Sequence, residues 1–461
     1  MAEIINSVLN WLASWVGLTV ASDSLLGFVL AAFVHVGLII NIVAVGALVF
    51  IWLERKISGR IQDRLGPTRV GGKFGWLQTL ADGLKLITKE DLMPDGADKL
   101  LFKVAPYVSF CAAIAAYLAI PFAGGEYPFV AQHVNSGIFF VLAVLGLEVF
   151  GTILAGYSSA SKWSLFGAMR EAAQVVSYEV PLGMCAVVPV LLVGSLDLVY
   201  IGNMQEGLFT NWLVFNDPFT FITFFVYCTC ATASVNRAPF DLAEAESELV
   251  AGFHTEYSGL RWSFFFMAEY GSMFSVSLLA SILFLGGWNG PFPVTEWLGL
   301  TGEPSTISGV IDSIMQFFGL TAGGTSVAWY LGSLLGAANL IGKATLGVCI
   351  MMWIRWTLPR LRIDQVMTTC LKYCTPIAAA MFLGAVIWQY NFPHKNLFGL
   401  QDRPEATYAV SEGWQRAGDK VASEGGTDGT EQELEEEVSE ETVSLPSEKT
   451  VAMSNSVGGG N

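Results

Sequence analysis

The sequence predicts an all-α, polytopic membrane protein with about eight transmembrane helices. The 461 residues are 53% apolar and only 14% charged, whereas soluble domains carry about 25% charged residues. Lys and Arg are almost confined to alternate connections between the apolar runs. Eight runs are close to the length of about 20 residues that crosses a bilayer as a helix. They lie near 25–51, 100–122, 136–157, 173–194, 218–235, 262–287, 327–354 and 374–391.

The runs are expected to be helices, because backbone groups in lipid must be satisfied within the segment and Gly and Pro interrupt any barrel-like alternation. Residues 1–24 are a short apolar stretch without Lys or Arg. This stretch resembles neither a signal peptide nor a full span. We therefore expect an interfacial or half-inserted helix there, followed by an eight-helix membrane domain over 25–392.

The placement of basic residues predicts the topology. The connection between the first and second runs holds ten Lys and Arg residues. The third-to-fourth and fifth-to-sixth connections hold two each, the seventh-to-eighth holds four, and the other three hold none. By the positive-inside rule, the charged connections are expected in the cytoplasm and both termini on the periplasmic side.

The C-terminal segment 393–461 has a different composition. Residues 401–461 hold 14 acidic and four basic residues, which accounts for −10 of the chain's formal charge of −16. A polar segment rich in Gly, Ser and Glu cannot bury enough apolar surface to fold, so we expect disorder. A solvated extension is favoured over a contact with a neighbouring subunit.

The first charged connection contains an amphipathic pattern. Trp76, Leu80, Leu84 and Ile87 recur at helical spacing over residues 74–90, and charged residues fall elsewhere on the wheel. Such a helix lies along a membrane surface. A plain lipid anchor does not explain why acids are interleaved with the bases, since lipid headgroups reward only bases.

The fifth-to-sixth connection is mostly acidic. If it is helical, Asp241, Glu244 and Glu248 share one face and Glu246 points away. Crowded carboxylates beside apolar residues titrate as a coupled group that can hold protons near neutral pH. A solvated acidic loop is the alternative, which the neighbouring Phe, Pro, Leu and Val residues disfavour.

Ionizable residues also fall within the apolar runs or at their ends. Each costs about 2.5–3.5 kcal/mol at a helix centre and is therefore a functional candidate. They are Glu148, Arg170, Glu171, Glu179, Glu269 and Lys343. Together they suggest a buried polar path between helices. The seven cysteines lack metal-ligand spacing, so no metal site is expected.

These segments resemble the family of respiratory complex I membrane subunits that is called the H subunit or subunit 1, over about residues 25–392. The motifs that carry the resemblance are Glu54-Arg-Lys-Ile, Ala81-Asp-Gly-Leu-Lys85, Ser177-Tyr-Glu179-Val, Asn236-Arg through Glu256-Tyr, Met267-Ala-Glu269-Tyr, and Arg355-Trp-Thr-Leu-Pro-Arg-Leu-Arg-Ile-Asp364-Gln. Their number and length make a chance match implausible.

The resemblance implies a membrane-arm subunit of a proton-pumping NADH:quinone oxidoreductase that docks the peripheral arm and forms a quinone tunnel. The implied tunnel residues are Arg55, Arg64, Asp82, Lys85, Phe240, Phe253, Trp262 and Phe266. The implied proton path comprises Arg170, Glu179, Glu244, Glu246, Glu248, Glu256 and Glu269, to which we add Glu148, Glu171 and Asp241. No catalytic redox centre is expected on this chain.

The expected partners and cofactors follow from the same resemblance. NADH, FMN and iron–sulfur clusters would be held by other complex I subunits, and quinone would be the substrate. Peripheral-arm quinone-site and iron–sulfur subunits, small membrane subunits, antiporter-like subunits and lipid are the expected partners, and nucleic acid is not. The expected location is a bacterial inner membrane.

The chain departs from the family pattern at Ser234, because members often carry Glu just before the Asn-Arg of this connection. We hypothesise that Glu148 supplies the missing carboxylate. Two other functions compete with the complex I interpretation. One is the related subunit of a membrane-bound hydrogenase or formate-linked complex. The other is an ion-coupled transporter acting alone, which predicts an internal repeat that the sequence lacks.

Overall fold

A computed structural model describes residues 25–124, 128–243, 246–293, 295 and 327–392. These residues form helices and connections, and no strand occurs among them. The α-helices are α1 (Leu25–Ile61), α2 (Gln78–Thr88), α3 (Lys99–Ala116), α4 (Gly137–Ser158), α5 (Lys162–Val193), α6 (Leu198–Asn203), α7 (Pro218–Ser234), α8 (Glu246–Leu249), α9 (Gly259–Phe284), α10 (Val327–Thr357), α11 (Ile363–Met367) and α12 (Thr375–Asn391). The predicted segments 1–24 and 393–461 lie outside this description.

The membrane-spanning character of the helices is confirmed within the described residues. Helices α1, α3, α4, α5, α9 and α10, together with the continuous stretch Ile363–Asn391, are long and apolar enough to cross a membrane. Helix α7 is apolar but has only 17 residues, which is about 25 Å of helix. It begins at Pro218 after Asp217, whose Oδ1 accepts a hydrogen bond from the Thr220 amide at 2.7 Å.

Several boundaries differ from the sequence expectation. Helix α1 continues ten residues past residue 51, and α5 begins 11 residues before residue 173. Helical hydrogen bonding thus continues beyond the apolar run, because Glu, Arg and Lys are good helix formers. As a result, Glu54 and Arg55 lie on α1, and Arg170 and Glu171 lie inside α5 rather than ahead of it.

Of the two helices predicted in the charged connections, one is confirmed and the other is not. The amphipathic helix is confirmed as α2, which leaves Leu80, Leu84 and Ile87 exposed. The acidic stretch does not form one helix in the described residues, so Asp241 and Glu248 do not share a helical face as predicted. Only Glu246–Leu249 is helical there. Asp241 instead turns into the interior, where it pairs with Arg360.

The four charged connections meet at one end of the helices. Ion pairs join the fifth-to-sixth connection to the other three: Arg261 Nη2 to Asp91 Oδ2 at 2.9 Å, Arg170 Nη1 to Glu248 Oε2 at 2.6 Å, and Arg360 Nη2 to Asp241 Oδ2 at 2.7 Å. A fourth pair, Arg355 Nη1 to Glu54 Oε1 at 2.6 Å, joins the seventh-to-eighth connection to the first. The alternation of Lys and Arg along the sequence therefore corresponds to a shared face of the molecule.

The connections without Lys or Arg meet at the other end. His133 Nε2 lies 2.9 Å from Asp197 Oδ2 and joins the second-to-third connection to the fourth-to-fifth. Asn289 Nδ2 donates to the Gly202 carbonyl at 2.8 Å, and the Phe209 amide donates to Pro291 at 3.1 Å. Adjacent helices are thus antiparallel, while the compartment that each end faces stays a prediction.

Candidate functional site

The candidate site is a small cavity close to the charged end, between α4, α5, α9 and the connection that follows α7. Its volume is about 30 Å³, which is room for one or two water molecules. Its walls are formed by Ser109, Glu148, Val149, Thr152, Glu171, Ser234, Val235, Asn236, Phe253, His254, Trp262, Phe265, Phe266, Glu269 and Ser272. Three of these side chains are carboxylates, and each comes from a different long helix.

Each carboxylate has a polar partner, which for Glu148 and Glu171 also lines the cavity. Glu148 Oε1 accepts a hydrogen bond from Ser272 Oγ at 3.0 Å. Glu171 Oε1 accepts one from Asn236 Nδ2 at 2.6 Å, and Glu269 Oε1 lies 3.0 Å from Arg237 Nε. Carboxylates around a water-sized space can exchange protons through that water, because each can act as acid and base.

Glu171 is the most enclosed of the three. Its side chain is fully buried, and its second oxygen, Oε2, accepts no hydrogen bond from the described residues. An unpaired buried carboxylate oxygen is costly unless the group is protonated or meets water. This geometry suits a group that gains and loses a proton.

Aromatic side chains close the other wall of the cavity. Trp262 and Phe266 stack with ring centroids 4.9 Å apart, and Phe253 meets Phe265 edge-on at 5.4 Å. Trp262, Phe266 and Phe253, which are predicted tunnel residues, therefore share one cavity with predicted proton-path residues. The family resemblance implies two separate routes for these two sets.

His254 lies among these aromatic rings, on a short 3₁₀ turn over Gly252–His254. Burial disfavours the charged imidazolium and lowers the pKa of His254 to about 4. The imidazole is therefore neutral at physiological pH and adds no charge to the cavity.

A buried charge network adjoins the cavity. Arg237 Nη1 lies 3.4 Å from Glu54 Oε2, while its Nε contacts Glu269. Arg355 reaches the other oxygen of Glu54 at 2.6 Å. Tyr270 donates a short hydrogen bond to Glu54, and the Arg237 guanidinium sits 4.4 Å above the Tyr270 ring. Two carboxylates and two guanidinium groups balance each other here, which buried charges require.

Sequence reasoning assigns no role to Glu54, Arg237, Tyr270 or Arg355. Each lies within one of the motifs that carry the family resemblance. Their pairing is nevertheless not readable from the chain, because 183 residues separate Arg237 from Glu54 and 301 separate Arg355 from Glu54.

Three of the predicted tunnel residues, Arg55, Asp82 and Lys85, lie on α1 and α2. Arg55 hydrogen-bonds Asp82, and Lys85 Nζ lies 3.9 Å from the same carboxylate. Trp52 stacks on Trp76 with centroids 4.1 Å apart. These contacts attach the surface helix to the first span.

The other predicted tunnel residues are placed elsewhere. Arg64 is exposed on the turn that follows α1, and Phe240 is buried in the apolar core rather than at the cavity wall.

The other proton-path candidates whose side chains are described lie outside the cavity. Arg170 and Glu248 border a second, polar cavity of about 270 Å³ with Arg360, Arg362 and Asp364. Glu179 is exposed on α5 beside Gly146 of α4, and Glu256 is half-buried. Glu244 lies outside the described residues. Glu246 begins α8, and its side chain is likewise not described.

The described residues also show how far metal ligation is possible. Among them, no group of three or more His, Cys, Asp and Glu side chains could hold a metal ion.

Comparison with known proteins gives a consistent result. The family model described as NADH dehydrogenase matches residues 34–386. The chain is 41% identical over 385 residues to the H subunit of NADH-quinone oxidoreductase from Chlorobium luteolum, covering 81% of this chain and 94% of that protein. It is 42% identical over 381 residues to the same subunit from Chlorobaculum tepidum, covering 80% and 97%. It is 39% identical over 346 residues to that from Bacteroides thetaiotaomicron, covering 75% and 87%.

A first prediction concerns the pH dependence of stability. Because the pKa of His254 falls from about 6.5 in the unfolded chain to about 4 on folding, the unfolded chain binds the extra proton between these values. Stability is therefore lost as the pH falls through this window, by about 2 kcal/mol at pH 5 relative to pH 7. The variant His254→Gln should lack this component when thermal unfolding is measured in detergent at both pH values. Identical pH dependence in the variant and the parent protein would contradict the assignment.

Proposed function

Because the chain belongs to the NADH dehydrogenase family, as the H subunit of a multi-subunit NADH-quinone oxidoreductase, we propose that it guides quinone to the redox subunits and passes protons through the carboxylate cavity. The observation that carries this proposal is the cavity itself. Its aromatic wall, formed by Trp262, Phe266 and Phe253, faces the carboxylates Glu148, Glu171 and Glu269. Quinone access and proton transfer would thus meet at one place.

The quinone would enter beside α1 and α2. The stacked Trp52 and Trp76 and the exposed Leu80 and Leu84 offer apolar surface at the membrane boundary. An isoprenoid tail requires such a surface, while a polar head is guided by a few charged groups. Arg55, held by Asp82, supplies a charge at this point.

The charged end would dock the peripheral arm. Its four connections are tied together by ion pairs, so they form a continuous charged surface rather than independent loops. Exposed basic residues such as Arg64 and Arg362 remain available for acidic partners. NADH, FMN and iron–sulfur clusters would be held by the docked subunits, which would reduce the quinone.

Proton transfer would begin at Glu269 and continue through the cavity to Glu148 and Glu171. Arg237 contacts both Glu54 and Glu269. A change of charge near Glu54 during quinone reduction would therefore alter the strength of the ion pair between Arg237 and Glu269. Glu179, exposed on α5, would pass protons on toward the neighbouring membrane subunits, since an ionizable side chain on a lipid-facing surface is costly without a polar partner.

The lining of the cavity also supports the hypothesis that Glu148 supplies the carboxylate that is missing at Ser234. Glu148 and Ser234 line the same cavity from α4 and from the end of α7. A carboxylate on α4 can therefore serve the space that a Glu in place of Ser234 would occupy. The proposed orientation follows the basic residues: a bacterial inner membrane, charged connections in the cytoplasm, and both termini in the periplasm.

A second prediction tests the role of Glu148. The variant Glu148→Gln should assemble and keep most of its quinone reductase activity but lose most proton pumping, because an amide cannot take up a proton at physiological pH. The measurement is the number of protons pumped per two electrons in proteoliposomes that contain the whole complex. Glu148→Asp should restore pumping in part, and Glu90→Gln, an exposed site, serves as the control. Full pumping by Glu148→Gln would refute the hypothesis that Glu148 supplies the carboxylate that is missing at Ser234.

A third prediction concerns the acidic connection. Glu246→Gln and Glu248→Gln should each lower coupled turnover several-fold. For Glu248 the physical reason is the loss of the ion pair with Arg170, which joins this connection to α5. NADH:quinone turnover and proton uptake are measured together in sealed vesicles. Wild-type values for both activities in both variants would argue against coupling through this connection.

A further inference from the structure

Lys343 is a charged residue inside α10 that the proposed proton path does not use. Its ammonium group donates hydrogen bonds to three carbonyl oxygens, those of Leu285 at 2.6 Å, Gly287 at 3.0 Å and Asn289 at 2.5 Å. The ring of Trp212 lies 4.3 Å from the nitrogen on another side. An ammonium has three hydrogens, so the cage engages all of them.

The three carbonyls belong to the segment that ends α9. Leu285 caps α9, where the last carbonyls of a helix lack partners within the helix and carry partial negative charge, so a cation is favourable there. The carbonyls of Gly287 and Asn289 lie in the turn that follows. The backbone is turned sharply at Gly286 and Gly287, with φ values of +79° and +54°. A Cβ at Gly286 would lie 2.3 Å from Trp212 Nε1, so only glycine fits. The segment is therefore shaped to present its carbonyls to Lys343.

Other side chains hold the same segment without charge. Gln205 accepts a hydrogen bond from the Gly286 amide at 3.0 Å, and Asn339 of α10 donates to the Trp288 carbonyl at 2.9 Å. The charged contact to this segment comes from Lys343, in the middle of the membrane-spanning helix α10.

Contacts at three levels hold α9 and α10 in register. At the charged end, Tyr270 and Arg355 bind the same Glu54 carboxylate. In the middle, Ser277 Cβ lies 3.3 Å from the position of a Cβ on Gly347. The third level is the cage of Lys343. These levels span about 22 Å along α9 and about 18 Å along α10, as expected of an antiparallel pair with a rise of 1.5 Å per residue.

We propose that Lys343 is a positioning residue that fixes α9 along its axis, and with it Glu269 and Ser272 at the carboxylate cavity, and that it carries no protons itself. The functional part of this inference rests on the proposed function, whereas the register of the two helices does not. Intramembrane lysines are functional candidates by default. Here the contacts of the ammonium group indicate a structural role.

The test uses the assembled complex in native membranes and a cysteine pair as a reporter of register. Ser277→Cys with Gly347→Cys places two Cβ atoms close to the 3.5–4.5 Å that a disulfide requires. Copper phenanthroline supplies the oxidant, and each single cysteine variant is the background. The pair is combined with Lys343→Met, with Lys343→Arg, and with Leu346→Met, an exposed position on the same helix, as the control.

We expect Lys343→Met to lower the disulfide yield several-fold and to reduce quinone reduction and pumping together. Lys343→Arg should keep the cross-link and the pumping, because its guanidinium can donate to the carbonyls but stays charged and cannot relay protons. Leu346→Met should change neither the cross-link nor the activities.

An undiminished cross-link in Lys343→Met with selective loss of pumping would overturn the proposal. A normal cross-link without pumping in Lys343→Arg would do the same, and this variant decides the matter if Lys343→Met does not assemble. Failure of the proposed function is distinguishable, since full pumping by Glu148→Gln would leave the cross-linking result unaffected.

Discussion

The structure depends on the pairing of charges that are buried at one end of its helices. Glu54 is buried on the first span and is held by Arg237, Arg355 and Tyr270, which come from three other segments. Removing one member of a buried pair typically costs about 3–5 kcal/mol, because the remaining charge is left without compensation. The network therefore joins α1, α9, α10 and the connection after α7 into one unit.

This constraint also explains where the cavity lies. Arg237 is shared between Glu54 and Glu269, and Glu269 lines the cavity with Glu148 and Glu171. The same guanidinium thus connects the side of the molecule that would receive quinone with the carboxylates that would carry protons. At the opposite end of α9 the carbonyl cage of Lys343 holds the helix in place, so that Glu269 has a defined position.

The sequence was sufficient for features that depend on local patterns. The spans follow from apolar length, the shared charged face follows from Lys and Arg, and α2 follows from helical spacing. The site was only partly predictable, because its pairs join distant residues: 78 positions separate Arg170 from Glu248, and 301 separate Glu54 from Arg355. The helical face expected for Asp241 and Glu248 was wrong, since tertiary ion pairing with Arg360 outweighed local periodicity.

The link between the charge network and the cavity is tested most directly by the pumping stoichiometry of Glu54→Gln, measured as protons per two electrons in proteoliposomes of the assembled complex. Glutamine keeps the volume of the side chain and can still accept hydrogen bonds. It removes the negative charge of Glu54, which contacts Arg237 together with Glu269. We expect the variant to pump fewer protons for each quinone reduced. Unchanged stoichiometry together with unchanged quinone reduction would contradict the link between the charge network and the cavity.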